Sequence, residues 1–186
     1  MKTVMHEALE WVYAIVIALA IATLIHIFVV QPTRVSGESM VPTLHNGEYL
    51  VVSKIGHVLG ETPNYGDIVI IDSRLNYPRT WLDDLSEPMA NYLAIFSSRF
   101  QTKNVWVKRV IGLPGDTPAS HDGKVWRNGK ALDEPYINGP MDYSRAGEVK
   151  VPEGYVYCMG DNRNHSSDRR FIGTVPNDPV LGKGVW

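Results

Sequence analysis

The sequence holds a single cysteine, Cys158, which excludes an internal disulfide framework and any cysteine-rich metal centre. It also lacks an excess of positive charge. Eighteen Lys and Arg stand against 20 Asp and Glu, a formal net charge of -2, so no polyanionic partner and no nucleic acid is expected. Internal repeats and low-complexity tracts are absent, so neither a repeat array nor a disordered linker is indicated. What remains is a chain of 186 residues, suited to one compact domain with an appendage.

Formal charge is missing most conspicuously from Trp11 to Val30, "WVYAIVIALAIATLIHIFVV", if His26 is neutral. About twenty apolar residues are enough for a helix to cross roughly 30 Å of hydrocarbon. A cleavable export signal is the competing interpretation, because "ALA" at Ala18 to Ala20 looks like a cleavage site. The apolar run continues about ten residues beyond it, which suits an uncleaved anchor better. Residues 1–31 are therefore expected to form a membrane anchor, with the transmembrane helix over about 11–30. Orientation is poorly determined by charge, since Lys2 lies before the span and Arg34 just after it.

Beyond the span the texture changes. "EYLVVSKI", "DIVIID", "NVWVKRVIG", "KVWRNGKAL" and "GYVYCMG" are short runs rich in β-branched and aromatic residues, divided by Gly, Pro, Asn and Asp. Such punctuation predicts a mainly β domain over 32–186, and Asn128-Gly129 predicts a two-residue hairpin turn. An insertion over about 74–104 departs from this pattern. There Trp81, Leu82, Leu85, Met89, Tyr92, Leu93, Ile95 and Phe96 recur at mostly helical spacing, interrupted by Pro88, and predict a partly helical element. Cys158, inside "GYVYCMG", is expected to be a packed strand residue rather than a nucleophile.

The stretch "VSGESMVPTL" offers a serine, Ser39, close behind the span. A serine nucleophile needs a proton acceptor, and histidine is the usual one. Of the six histidines, His6 and His26 fall before or inside the span, and His45, His57 and His121 lie in loop contexts. Only His165, in "GDNRNHSSDRR", has polar surroundings dense enough for a site. Lysine is the other acceptor, provided that burial lowers its pKa by roughly 3, about 4 kcal/mol. In "NVWVKRVIG" the strand period of two puts Trp106, Lys108 and Val110 on one face and Val107, Arg109 and Ile111 on the other. Lys108 thus has an apolar setting, although a stem that snorkels to water fits the same pattern.

Four blocks, "SGESMVPTL", "GDIVI", "KRVIGLPGD" and "GDNRNHSSDRRFIG", follow the apolar run in that order. Together they resemble the bacterial type I signal peptidases, membrane-bound serine proteases that remove signal peptides from exported proteins. The resemblance runs from the anchor to Gly182. It implies an antiparallel β-sheet catalytic domain, Ser39 as nucleophile and Lys108 as a neutral general base. It implies that Ser166 orients the lysine amine and that Asp168 and Arg170 form a supporting ion pair, with Asp161 and Arg163 as structural partners in the same block. Where some members carry a serine whose hydroxyl joins the oxyanion hole, this chain has Gly37. The Ser39 N–H then becomes the principal donor, with a glycine N–H or a water as the second.

The resemblance further implies substrates that are preprotein signal peptides with Ala-x-Ala cleavage sites, and Val35, Met40 and Trp106 as pocket walls. It implies contact with membrane lipid, a catalytic domain on the extracytoplasmic side of the cell membrane, and neither cofactor nor metal. Met40, Val41 and Leu44 are expected either to seat the site against lipid or to pack as core. Two other functions share these features: a specialised transfer or self-processing peptidase, and an anchored binding domain with an inert serine.

Overall fold

A computed structural model describes residues 2–74, 105–142, 149–164 and 173–185. Its first element is α1, Lys2–Phe28. Within it, Met5–Phe28 is long and apolar enough to cross a membrane, with mean hydropathy 2.4. Trp11, Leu19 and most other large side chains of α1 stand exposed, so the β domain offers them no core. The helix ends two residues sooner than the apolar run does, because Val30 already opens strand β1, Val30–Arg34.

The remaining elements are β2, Tyr49–Ser53; α2, Ile55–Val58; β3, Ile68–Asp72; β4, Val105–Gly112; β5, Pro118–His121; β6, Lys124–Arg127; β7, Lys130–Ala131; β8, Tyr155–Met159; β9, Gly173–Pro176; and β10, Val180–Val185. The fold is mainly β, as the punctuated sequence predicts. Seven strands form one antiparallel sheet in the order β1-β2-β10-β3-β4-β8-β9, and β5-β6-β7 form a second, smaller one. The Asn128-Gly129 turn is present: Arg127 pairs with Lys130, and both turn residues have positive φ, 54° and 74°. That is the conformation a type I′ hairpin requires. The expected helical insertion, from residue 75 to 104, lies outside the described residues.

Strand alternation sorts the core into three clusters. Val35, Met40, Leu44, Leu50, Val52, Ile68, Ile70 and Val107 pack together on one face of the large sheet. Val69, Ile71, Val110, Val156, Cys158, Val175 and Val180 pack together around the opposite face. Ile111, Val125, Met141, Val151, Tyr157 and Met159 join the small sheet to β4 and β8. Met40 and Leu44 are therefore core residues and not a lipid seat. On β2 and β10, by contrast, Tyr49, Val51 and Val185 are exposed.

Candidate active site

Ser39 lies half-buried in the turn that follows β1. Three backbone bonds shape the approach to that turn: Val35 N–H to Glu48 O at 2.8 Å, Gly47 N–H to Val35 O at 2.9 Å, and Leu44 N–H to Met40 O at 2.9 Å. Gly37 has φ of +99°, a conformation open to glycine, and its N–H donates to Asn46 Oδ1 at 3.0 Å. That bond removes the Gly37 N–H from the candidates for a second oxyanion donor.

Lys108 sits in the middle of β4, 5% exposed. The register places Val69 beside Lys108 and Ile71 beside Trp106, so both side chains belong to the face of Val69, Ile71, Val110 and Cys158. Burial pushes the Cys158 thiol up to about 12, and the nearby Lys108 charge pulls the other way. Val35 and Met40 share the opposite face, with Val107. Of the three expected wall residues, Val35 and Met40 thus pack with Val107, while Trp106 shares the strand face of Lys108. The period of two that isolated Lys108 from Arg109 also separates Trp106 from Val107.

The serine turn and β4 are linked through the segment after β8. Asn162 donates its backbone N–H to Ser39 O at 3.0 Å and its side-chain Nδ2 to Glu38 O at 3.0 Å. Thr43 Oγ1 donates to Asp161 Oδ2 at 2.5 Å. Asp161, fully buried, receives Arg109 Nε at 2.8 Å and Nη2 at 2.6 Å, and Arg109 is the chain neighbour of Lys108. A paired guanidinium stacks over the Tyr136 ring at 4.0 Å and also donates to Gly66 O at 2.9 Å. Burial works against the Arg109 charge, but the Asp161 carboxylate outweighs it and raises the guanidinium pKa.

The Arg163 N–H donates to Asp161 O at 3.1 Å, but the side chains of Asp161 and Arg163 do not pair with each other. Arg163 forks onto Glu134, with Nη2 to Oε1 at 2.6 Å and Nη1 to Oε2 at 2.9 Å. The β4–β8 pairing of Arg109 with Met159 brings the Arg109 fork, rather than Arg163, to Asp161. Ser166, Asp168, Arg170 and His165 lie outside the described residues. His45 and His121 are exposed beside carboxylates, Glu48 at 3.3 Å and Asp122 at 3.0 Å. No group of three or more metal-ligating side chains occurs among the described residues.

The family model described as "Signal peptidase, peptidase S26" matches residues 8–186. The chain belongs to this signal peptidase family. It is 40% identical over 184 residues to Signal peptidase I of Bacillus licheniformis, covering 93% of this chain and 84% of that one. It is 37% identical over 184 residues to Signal peptidase I T of Bacillus subtilis, covering 94% and 81%. A crystal structure of a signal peptidase I from Enterococcus faecalis superposes with a TM-score of 0.43 at 24% identity, covering 66% of this chain and 97% of that chain. As a member of the family the chain is a serine peptidase. Asn162 and Thr43 join the candidate site although the sequence did not single them out, and Arg109 joins it by pairing with Asp161, because each acts through a contact with a distant segment.

Proposed function

We propose that this protein is a membrane-anchored serine endopeptidase that removes signal peptides from exported preproteins, with Ser39 as nucleophile and Lys108 as general base. The observation that carries the reading is the burial of Lys108 on an aliphatic strand face, one residue from the Arg109–Asp161 pair that ties to the Ser39 turn. Taking an ammonium out of water favours the neutral amine, the form a base must have.

In the proposed reaction, Ser39 Oγ attacks the scissile carbonyl carbon while its proton passes to Lys108 Nζ. The carbonyl oxygen becomes an oxyanion, met by the Ser39 N–H with a water as second donor. Collapse breaks the C–N bond, and the Lys108 ammonium gives its proton to the leaving amine. A water, deprotonated by Lys108, then hydrolyses the acyl-enzyme and frees Ser39. The chemistry requires no metal or cofactor. Ser166 orients the lysine amine, and Asp168 with Arg170 supports the site.

Val35 and Met40, expected as pocket walls, are buried in the core with Leu44 and Val107, so they can only support the site from beneath. The substrate in this reading is a signal peptide whose Ala-x-Ala residues bind extended against the β domain. Residues 1–31 act as the anchor and 32–186 as the extracytoplasmic peptidase domain, with the segment about 74–104 as its insertion. The location has supporting features: α2 buries none of its residues and exposes Ile55 and Val58, and the N–H of its N-cap Lys54 donates to Val29 O at 2.9 Å, beside the end of α1.

Incubation of the detergent-solubilised chain with a model preprotein tests this reading. Wild type should release the mature product, and Ser39→Ala and Lys108→Ala should not; normal processing by either variant would overturn the dyad. The rate should rise through an apparent pKa well below the value of about 10.4 for free lysine. Absence of cleavage by wild type would favour an inert binding domain.

A further inference from the structure

We infer that Asn162 is a positioning residue that aims the Ser39 N–H at the developing oxyanion, an inference that rests on the serine nucleophile proposed above. Asn162 is 4% exposed and touches two consecutive carbonyls of the serine turn. Its Nδ2 holds Glu38 O at 3.0 Å, and its backbone N–H holds Ser39 O at 3.0 Å. The Glu38 carbonyl and the Ser39 N–H belong to one planar trans peptide unit, so they point in opposite directions. Fixing Glu38 O against Asn162 therefore turns the Ser39 N–H away from Asn162. The second bond fixes the next peptide plane, and the two together leave the serine little freedom to rotate its backbone.

The amide has a definite orientation. Glu38 O is an acceptor, so the Asn162 atom facing it must be the nitrogen, and the oxygen must face elsewhere. That oxygen, Oδ1, is buried with no hydrogen-bond partner among the described residues. An unmet buried acceptor opposes folding, so the side chain is poorly chosen for stability alone. Its support is rigid: the preceding residue, Asp161, is held by the Arg109 fork and by Thr43, four residues beyond Ser39. Asn162 thus transmits the position of a buried ion pair to the nucleophile turn without touching substrate.

The test uses the full chain in detergent with the model preprotein and compares Asn162→Asp and Asn162→Ala with wild type and Ser39→Ala. The aspartate keeps the volume and the backbone N–H and removes the donor to Glu38 O, so it remains informative if the alanine variant folds poorly. Both variants should lose about 10- to 100-fold in kcat, the scale of a misaligned reacting group or a lost oxyanion donor. KM should stay within about threefold, and the apparent pKa of the pH profile should not move, since the base is untouched. A kcat for Asn162→Asp within about threefold of wild type would overturn the inference. So would a loss fully matched by a smaller folded fraction in a thermal melt. Normal processing by Ser39→Ala would instead sink the underlying serine assignment, so the two failures are distinguishable.

Discussion

Asp161 and Arg109, 52 residues apart in the chain, meet in a bidentate pair with N···O separations of 2.8 and 2.6 Å. The pair ties β4 to the segment that follows β8, and through Thr43 to the serine turn. Removing one member leaves the other charge buried, which typically costs about 3–5 kcal/mol, roughly a fifth or more of the stability of a domain. Asp161→Ala should therefore lower the thermal midpoint severely. Arg109→Lys should also destabilise, because an ammonium cannot reproduce the two-pronged contact. A melt showing Arg109→Lys equal to wild type would contradict a bidentate role.

Gly37→Ala tests the shape of the nucleophile turn. A Cβ at this position would meet nothing within 4 Å, so any penalty arises from the backbone at φ +99° rather than from a clash. The expected loss is about 1–2 kcal/mol of stability, with folding retained. An unchanged midpoint would show that the turn relaxes to negative φ.

The acid limb of stability should carry a signature of Asp116. Burial opposes ionisation of its carboxyl, but the Leu113 N–H, the Asn128 amide, the Tyr65 hydroxyl and the Arg127 charge outweigh it and hold the pKa below 3.8. A lowered folded value stabilises fully above the unfolded pKa, and that contribution is lost as pH falls through the folded one. Asp116→Asn should thus melt below wild type near neutrality, with the gap closing in acid below about pH 4. A gap independent of pH would contradict the assignment.

Cys158 should be silent to thiol reagents. With its pKa pushed up to about 12 by burial, almost no thiolate exists at pH 8, and the sulfur is closed to solvent. Iodoacetamide should label the denatured chain and spare the native one, and Cys158→Ala should retain preprotein cleavage. Inactivation by labelling of the native protein would reopen a nucleophilic role for this residue.

The legibility of the fold in the sequence followed side-chain chemistry. β2, β3, β4, β6 and β8 are valine- and isoleucine-bearing runs bounded by turn residues, and each occurs where its pattern predicts. β10 carries Gly182 and Gly184, residues that usually weaken a strand. They are required here, because a Cβ at Gly182 would lie 2.5 Å from Ser53 O and one at Gly184 would lie 3.1 Å from Leu50 Cδ1. β1 was hidden by Pro32, which its position at the sheet edge tolerates. At the site, Ser39 and Lys108 were legible because their neighbours in sequence are distinctive. Arg109 and Asn162 were not, since a hydrogen bond across 52 or 124 residues leaves no local mark.

The position of β10 also has a consequence for the proposed dyad. In the large sheet, β1-β2 and β3-β4-β8-β9 share no strand pairing with each other except through β10. The serine follows β1 and the lysine lies on β4, so the two halves of the proposed dyad belong to parts of the sheet that β10 joins. A chain clipped before Val180 would keep the Arg109–Asp161–Thr43 link between β4 and the serine turn but lose the strand that joins the two parts of the sheet.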